Sequence, residues 1–320
     1  MRVHHEKLGL LFAAIAASAA AGCSNDLPVA SHLERTRVIG ARIDVAADPG
    51  RAEVFAGEAA SVEWIVAGPR PPVTLDWAFA LCVAGQSACV DTPAPAGMGS
   101  GAPIVVPFQT PDASTLTNGL LPLMFGEICA DGTLGIDASG TMPTCTGAGA
   151  SGTSTRFVVP VRLDGGTPNR QPNLANDPIE LDGAAWDPGT ATIAAAGDAC
   201  DASTGLPVVV APASGDVKHP VRLVSDGDDR EMYTPAGATA PTLEELQFSN
   251  FATDGKFESS YGAILPTDTR PDADVTMKWI PPVSADVPSS GEVVVLTFVV
   301  RDLRGGLDVT TRALCLLPAS

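Results

Sequence analysis

The chain has 320 residues, of which 37 are acidic and 19 are basic, and its formal net charge is −18. Hydrophobic residues make up 45% of the sequence, too large a share for an intrinsically disordered chain. The acidic balance argues against nucleic-acid binding, because phosphate recognition needs clustered lysine and arginine. The 32 glycines and 28 prolines follow no three-residue period, so they indicate turns rather than a collagen.

The N-terminal segment has the composition of an export signal. Arg2 and Lys7 precede an unbroken run of apolar or small residues at 8–21. The run is too short for a transmembrane helix, which needs about 20 residues. A basic start followed by a short apolar run predicts a signal peptide at 1–22.

The end of this signal resembles the lipobox of bacterial lipoproteins, in the residues Ala20-Ala21-Gly22-Cys23. The resemblance implies cleavage before Cys23 and attachment of fatty acyl chains, palmitate among them, to that residue. Two or three such chains hold a protein stably on a membrane. The family most often has Leu where this chain has Ala20. By the same resemblance, Ser24 in place of Asp implies transfer to the outer membrane. The alternative to lipidation is ordinary secretion, with Cys23 as an incidental thiol.

The other six cysteines agree with export. An even number of cysteines in an exported chain predicts disulfides. Many pairings are possible, and we expect neighbours in sequence to pair: Cys82–Cys89, Cys129–Cys145 and Cys200–Cys315. No C-x-x-C motif occurs, which disfavours a cysteine metal site.

The body of the chain has the pattern of short strands between turns. We expect a tether at 23–36 and then strands, among them 38–45, 60–66 and 73–79, in which apolar and polar residues alternate. The composition of 165–178 is typical of a linker. The sequence therefore predicts an all-β protein with two immunoglobulin-like β-sandwich domains in tandem, at 37–164 and 179–320.

Two segments resemble bacterial immunoglobulin-like domains. Ala56–Trp64 (AGEAASVEW) is similar to the entry into an early strand of such domains. Arg301–Leu316 resembles the final hairpin of immunoglobulin-like or PKD-like domains, with Asp302-Leu303-Arg304-Gly305-Gly306 as the turn. The resemblance implies a fold and no activity. Glu292–Val300 is apolar on both faces and predicts a central strand, and Pro241–Leu246 predicts one short helix with a capping box.

No catalytic motif is present. The chain has no G-x-S-x-G, P-loop or dinucleotide fingerprint, and we expect His219 to be structural. Paired carboxylates could serve a glycosidase, but no motif distinguishes one pair. Oxygen ligands for Ca²⁺ could come from acidic loops, although a solvated loop is the simpler interpretation. The candidates are Asp226, Asp228, Asp229, Asp302 and Asp308.

The four tryptophans divide into two groups. Trp64, Trp77 and Trp279 share strand faces with aliphatic residues and are expected in cores. Trp186 lies in a turn sequence, Ala185–Gly189, and is the one candidate for an exposed sugar-binding ring.

These observations predict a non-enzymatic lipoprotein of the cell envelope or surface, anchored through its lipid, that binds a protein partner or spaces it from the membrane. No cofactor is expected, apart from the Ca²⁺ considered above. A glycan-binding or hydrolase-accessory lipoprotein is the alternative, and an enzyme with an unrecognised carboxylate pair is a third hypothesis. Nucleic acid is not an expected partner.

Overall fold

The computed structural model describes residues 30–72, 74–83, 94–116, 121–136, 143–163, 166–174, 177–235 and 237–319. The signal peptide, Cys23 and most of the expected tether lie outside these residues. The fold is all-β, as the sequence predicts. The described residues contain three short 3-10 helices, at Pro188–Thr192, Gly227–Asp229 and Ser284–Asp286, and no α-helix. None of the described helices is long and apolar enough to cross a membrane.

The first sandwich consists of two antiparallel sheets with strand orders β1-β3-β6 and β10-β7-β4-β5. Alternation sets its core: in β6, Ile104, Val106 and Phe108 point inward between exposed neighbours. Two small pairings, β2 with β11 and β8 with β9, complete it. The strands are β1 (Arg37–Asp44), β2 (Val54–Phe55), β3 (Ala59–Ala67), β4 (Leu75–Val83), β5 (Ala94–Ser100), β6 (Ile104–Gln109), β7 (Pro122–Ala130), β8 (Thr133–Ile136), β9 (Pro143–Thr146), β10 (Ser151–Val158) and β11 (Val161–Arg162).

The second sandwich pairs the sheets β13-β12-β15-β21-β19 and β14-β23-β22-β18-β20. A two-stranded pairing of β16 with β17 lies beside them. The strands are β12 (Ile179–Leu181), β13 (Ala184–Ala185), β14 (Val208–Val210), β15 (His219–Val224), β16 (Met232–Tyr233), β17 (Thr242–Leu243), β18 (Leu246–Ala252), β19 (Lys256–Phe257), β20 (Tyr261–Ile264), β21 (Asp274–Ile280), β22 (Glu292–Arg301) and β23 (Leu307–Leu317).

The strand β22 is central, as its apolar sequence predicts. It lies between β18 and β23 and most of its side chains are buried. It pairs with β23 from Arg301↔Leu307 to Glu292↔Leu316, so the expected final hairpin is present. The turn between the two strands uses positive φ at Gly305 (118°) and also at Leu303 (61°).

The helix predicted at Pro241–Leu246 is wrong. Thr242–Leu243 is a strand that pairs with Met232–Tyr233, and β18 begins at Leu246. The capping-box pattern is a local signal, and here a long-range contact overrides it. Glu244 is 1% exposed and forms an ion pair with Arg304, 60 residues away along the chain.

The tether and the linker are more tightly packed than their composition suggests. Ser31 and Leu33 are buried, and Leu33 N donates to Ala252 O over 2.9 Å, so the packed body begins at Ser31 rather than Arg37. The expected linker falls between the two cores, which contain residues 38–161 and 174–316. Its described residues are not loose, since Asn169 and Leu174 are each 1% exposed.

Candidate functional site at the junction of the two sandwiches

An apolar contact joins the two sandwiches. Ile39 of β1 packs with Val299 of β22 and Leu307 of β23 in one buried cluster. The approach at Gly40 is close: a Cβ there would lie 2.6 Å from Leu307 Cδ1. Because Ile39 and Leu307 belong to different sandwiches, movement at the junction would expose apolar surface to water.

The segment 166–174 adds polar links between the same two bodies. Asn169 Nδ2 donates to Asp302 Oδ2 over 2.7 Å, and the backbone N of Asn169 donates to Glu53 Oε1 over 2.6 Å. Gln171 donates to Ile43 O over 3.0 Å and accepts from Leu307 N over 2.7 Å. The Gln171 side chain therefore connects the first sandwich to the last hairpin, and Asn169 does so through its side chain and its backbone N together. Sequence reasoning missed both residues, because nothing local distinguishes them from ordinary loop polar groups.

The turn that carries Asp302 is closed by its carboxylate. Asp302 Oδ1 accepts from Arg304 N over 2.7 Å and from Gly306 N over 2.8 Å. Asp302 is 2% exposed. These two hydrogen bonds, together with the one from Asn169, satisfy its buried carboxylate. Such a carboxylate organises its own loop and has little capacity left for a cation.

Asp308, the calcium candidate in β23 just after the Gly-Gly turn, forms an ion pair. Arg42 Nη1 lies 3.0 Å from Asp308 Oδ1, and Arg42 Nε lies 2.7 Å from Glu63 Oε2. Arg42 and Glu63 belong to the first sandwich and Asp308 to the second. The pairing therefore adds a charged link across the junction.

A second charged group lies beside the turn. Arg304 forms ion pairs with Glu231 and Glu244, and its guanidinium stacks on the ring of Tyr233 at 4.3 Å. Burial raises the pKa of Glu244 to about 7, against the lowering effect of its hydrogen bonds with the Glu231 backbone and Arg304. This group holds the segment between β16 and β18 in place.

The three remaining calcium candidates lie together in one loop. Asp226 caps a short 3-10 turn, Asp228 is exposed, and Asp229 accepts from Asn173 N over 3.0 Å. Within the described ranges, no group of three or more His, Cys, Asp or Glu side chains is arranged to hold a metal ion. The structure does not bring the five candidates into one site.

In the described part of the chain, two carboxyl pairs are in direct contact. Asp177 hydrogen-bonds Asp229, and burial followed by the charge of Asp229 raises the pKa of Asp177 to about 8. Glu292 hydrogen-bonds Asp254, and burial raises the pKa of Glu292 to about 7. Carboxyl groups that touch share a proton, whereas a retaining glycosidase needs about 5 Å between its two carboxyls and an inverting one needs more. The contact geometry of these pairs does not suit glycoside hydrolysis.

Trp186 does not present an exposed ring, and the sugar-binding prediction for it is wrong. The side chain is 2% exposed, and its Nε1 donates to Ala313 O over 3.0 Å. Its turn is covered by β23, a contact that the turn sequence does not encode. Trp64 and Trp279 are buried in the two cores as predicted, and Trp77 packs against the first core while partly exposed.

His219 has a structural setting. Its Nδ1 lies 2.8 Å from Asp182 Oδ2, and its ring lies 5.9 Å from that of Trp279. The Nε2 atom is buried and has no hydrogen-bond partner among the residues that the structure describes. An enclosed Nε2 has no access to a substrate proton, which agrees with the structural role expected for this histidine.

Two of the expected disulfides are present: Cys129–Cys145 and Cys200–Cys315. Cys82 is also disulfide-bonded, and Cys89, its expected partner, lies outside the described residues. The bond between Cys200 and Cys315 is part of a small buried cluster with Leu206 and Val293.

Comparison with known proteins adds little to this description. No protein-family model matches the chain, and no curated protein matches it. Among solved structures, the chain is similar to the major pilin subunit of Bacillus cereus, with 8% identity over 88% of this chain and 70% of that chain and a TM-score of 0.26. It is also similar to dimeric latent PorU from Porphyromonas gingivalis, with 9% identity over 90% of this chain, 24% of that chain and a TM-score of 0.19. Likenesses this weak carry no functional argument.

Proposed function

We propose that the chain is an exported lipoprotein, anchored through Cys23 in the outer membrane, that acts as a rigid and non-enzymatic module. The module binds a protein partner or holds it at a set distance from the membrane. The lipobox-like residues and the even number of other cysteines support export and anchoring. The junction supports rigidity, and it is the observation on which the proposal depends.

A spacer needs a fixed angle between its parts, because a flexible linker would let the outer part sample many distances. Here residues 31–320 group into one compact unit. The Ile39–Leu307 contact, the Asn169–Asp302 hydrogen bond and the Arg42–Asp308 ion pair all cross between the sandwiches. Independent domains on a loose linker would lack such contacts.

The glycan-binding alternative has lost the side chain that motivated it, since Trp186 is buried. The contacting carboxyl pairs do not favour the glycosidase form of the enzyme hypothesis. We therefore advance only the spacer or binding function.

Anchoring is tested by metabolic labelling with an alkynyl palmitate in a bacterial host that exports the chain. We expect label on the wild type and on the matched variant Ser24→Ala, and none on Cys23→Ser. Label that survives Cys23→Ser would contradict the proposed anchor.

Rigidity is tested by distance measurement. Clickable unnatural amino acids at the exposed positions Ala113 and Ser289 carry a fluorophore pair and leave the native cysteines untouched. We expect a narrow distance distribution for the wild type and for Thr167→Ala, an exposed control in the same segment. Asn169→Ala with Gln171→Ala should broaden it, and a broad distribution in the wild type would refute the spacer.

A further inference from the structure

An open groove of about 710 Å³ lies between the two sandwiches. Its walls come from the end of β3 and the loop that follows, from the residues after the 3-10 helix Pro188–Thr192, and from the outer face of β22. The lining is mostly aliphatic, alanine and proline side chains, including Val66, Pro71 and Ala195. This volume is within the range of about 300–1,000 Å³ that ligand sites have in general.

The charge of the groove is opposite to that of the protein. The chain carries a net charge of −18, yet no aspartate or glutamate is found among the described residues that line the groove. Of the lining residues that the structure describes, Arg70 is the one that carries a charge, and it is exposed. Within the described ranges, Arg70 forms neither an ion pair nor a side-chain hydrogen bond, so its charge is available to an incoming anionic group.

The groove also contains unused hydrogen-bonding groups. Thr36 and Thr297 line it and are only 8% and 4% exposed. Neither hydroxyl has a hydrogen-bond partner among the described residues. A ligand that covers these hydroxyls must offer them hydrogen-bond partners, because an apolar ligand would exclude water from them and leave them unpaired.

We propose that this groove binds an extended, apolar polypeptide segment of a partner protein, with one carboxylate of that segment paired to Arg70. The inference rests on the protein-binding form of the function proposed above, and it names the surface and the chemistry of the partner. Apolar side chains of the segment meet the alanine and proline walls. Its backbone amides and carbonyls reach the hydroxyls of Thr36 and Thr297, which an acyl chain would leave unpaired.

The test uses the full chain in phosphatidylcholine nanodiscs, so that no detergent fills the groove. The probe is a fluorescent eight-residue peptide of alternating valine and alanine with one central glutamate. A second peptide has lysine in place of the glutamate. Binding is measured by fluorescence anisotropy for the wild type, Arg70→Glu, Thr297→Val and Arg156→Glu. Arg156 is an exposed arginine on β10 that does not line the groove, so it controls for net charge.

We expect the glutamate peptide to bind the wild type and Arg156→Glu alike, and to bind Arg70→Glu about tenfold more weakly. Arg70→Glu should bind the lysine peptide more tightly than the glutamate peptide. Thr297→Val should bind both peptides more weakly than the wild type does. Equal binding to the wild type and Arg70→Glu, or no binding, would overturn the proposal. Displacement of the peptide by dodecanoate, with Arg70-dependent dodecanoate binding, would assign the groove to a lipid instead. Palmitate labelling and the distance measurement do not depend on Arg70, so the spacer function can stand if this proposal fails.

Discussion

At the scale of single residues, the junction shows how burial changes carboxyl groups. Asp177 is 8% exposed and touches Asp229, and the pKa of both groups is raised chiefly because burial disfavours their charged forms. Asp302 is more deeply buried, at 2% exposed, but three N–H donors satisfy it. The difference lies in the partners: amide donors stabilise a carboxylate, whereas a second carboxyl requires a shared proton.

The Asp177 pair predicts a pH dependence. The pKa of Asp177 is about 8 in the folded chain against an ordinary value of 3.8, so the folded chain holds more protons than the unfolded chain between those values. The contribution of this group to stability is full below about pH 4 and is lost as the pH rises through about 8. Asp177→Asn keeps a donor to Asp229 but does not titrate. We expect its stability relative to the wild type to increase from pH 5 to pH 8 in urea denaturation.

The control for this prediction is Asp228→Asn, an exposed residue of the same loop. Its stability should run parallel to that of the wild type over the same pH range. If the stability of Asp177→Asn also ran parallel to that of the wild type between pH 5 and pH 8, Asp177 would not titrate as described.

At the scale of elements, the sheets depend on close approach between neighbouring strands. Gly126 of β7 lies opposite Phe79 of β4. A Cβ at Gly126 would lie 2.1 Å from Ala78 O and 2.7 Å from Phe79 Cδ1. The first of these contacts is to backbone, which cannot move aside without disturbing the ladder between the strands.

Gly126→Ala should therefore destabilise the first sandwich by about 1–3 kcal/mol, the usual cost of forcing extra volume into a packed site. The matched control is Gly135→Ala on β8, where nothing lies within 4 Å of the added Cβ. Chemical denaturation compares the two. If Gly126→Ala lowered the free energy of unfolding no more than Gly135→Ala does, the packing argument would be contradicted.

The two described disulfides close loops of different length. Cys200–Cys315 spans 115 residues and Cys129–Cys145 spans 16. On the chain-entropy model the long loop contributes about 5 kcal/mol and the short loop about 3 kcal/mol. Cys200→Ser with Cys315→Ser should thus lower the denaturation midpoint more than Cys129→Ser with Cys145→Ser. The reverse order would show that strain or residual structure in the unfolded chain dominates.

At the scale of the whole molecule, the two sandwiches share one interface, and this predicts coupled unfolding. Leu307 is 4% exposed and contacts the first sandwich at Gly40. Leu307→Ala should cost about 2–5 kcal/mol, the usual range for a buried leucine, and should weaken the coupling.

Scanning calorimetry measures this prediction. We expect one transition for the wild type and two for Leu307→Ala, because each sandwich keeps its own core. The control is Leu265→Ala, a leucine that is 52% exposed, which should retain one transition. Two separate transitions in the wild type would contradict both the coupling and the rigid spacer.

The sequence by itself predicted several of the strands, the central position of β22 and the final hairpin. It left many disulfide pairings open, and the structure contains two of the three expected between neighbouring cysteines. Alternation encodes which face of a strand is buried, and glycines encode where a chain can turn, so both can be seen within a few residues. Tertiary structure alone decided the rest. Trp186 is buried because β23 covers its turn. Glu244 is not helical because it forms an ion pair with Arg304. Asn169 links the sandwiches because its side chain bonds Asp302. Each depends on a partner 60 or more residues away along the chain, and no local pattern can specify such a partner.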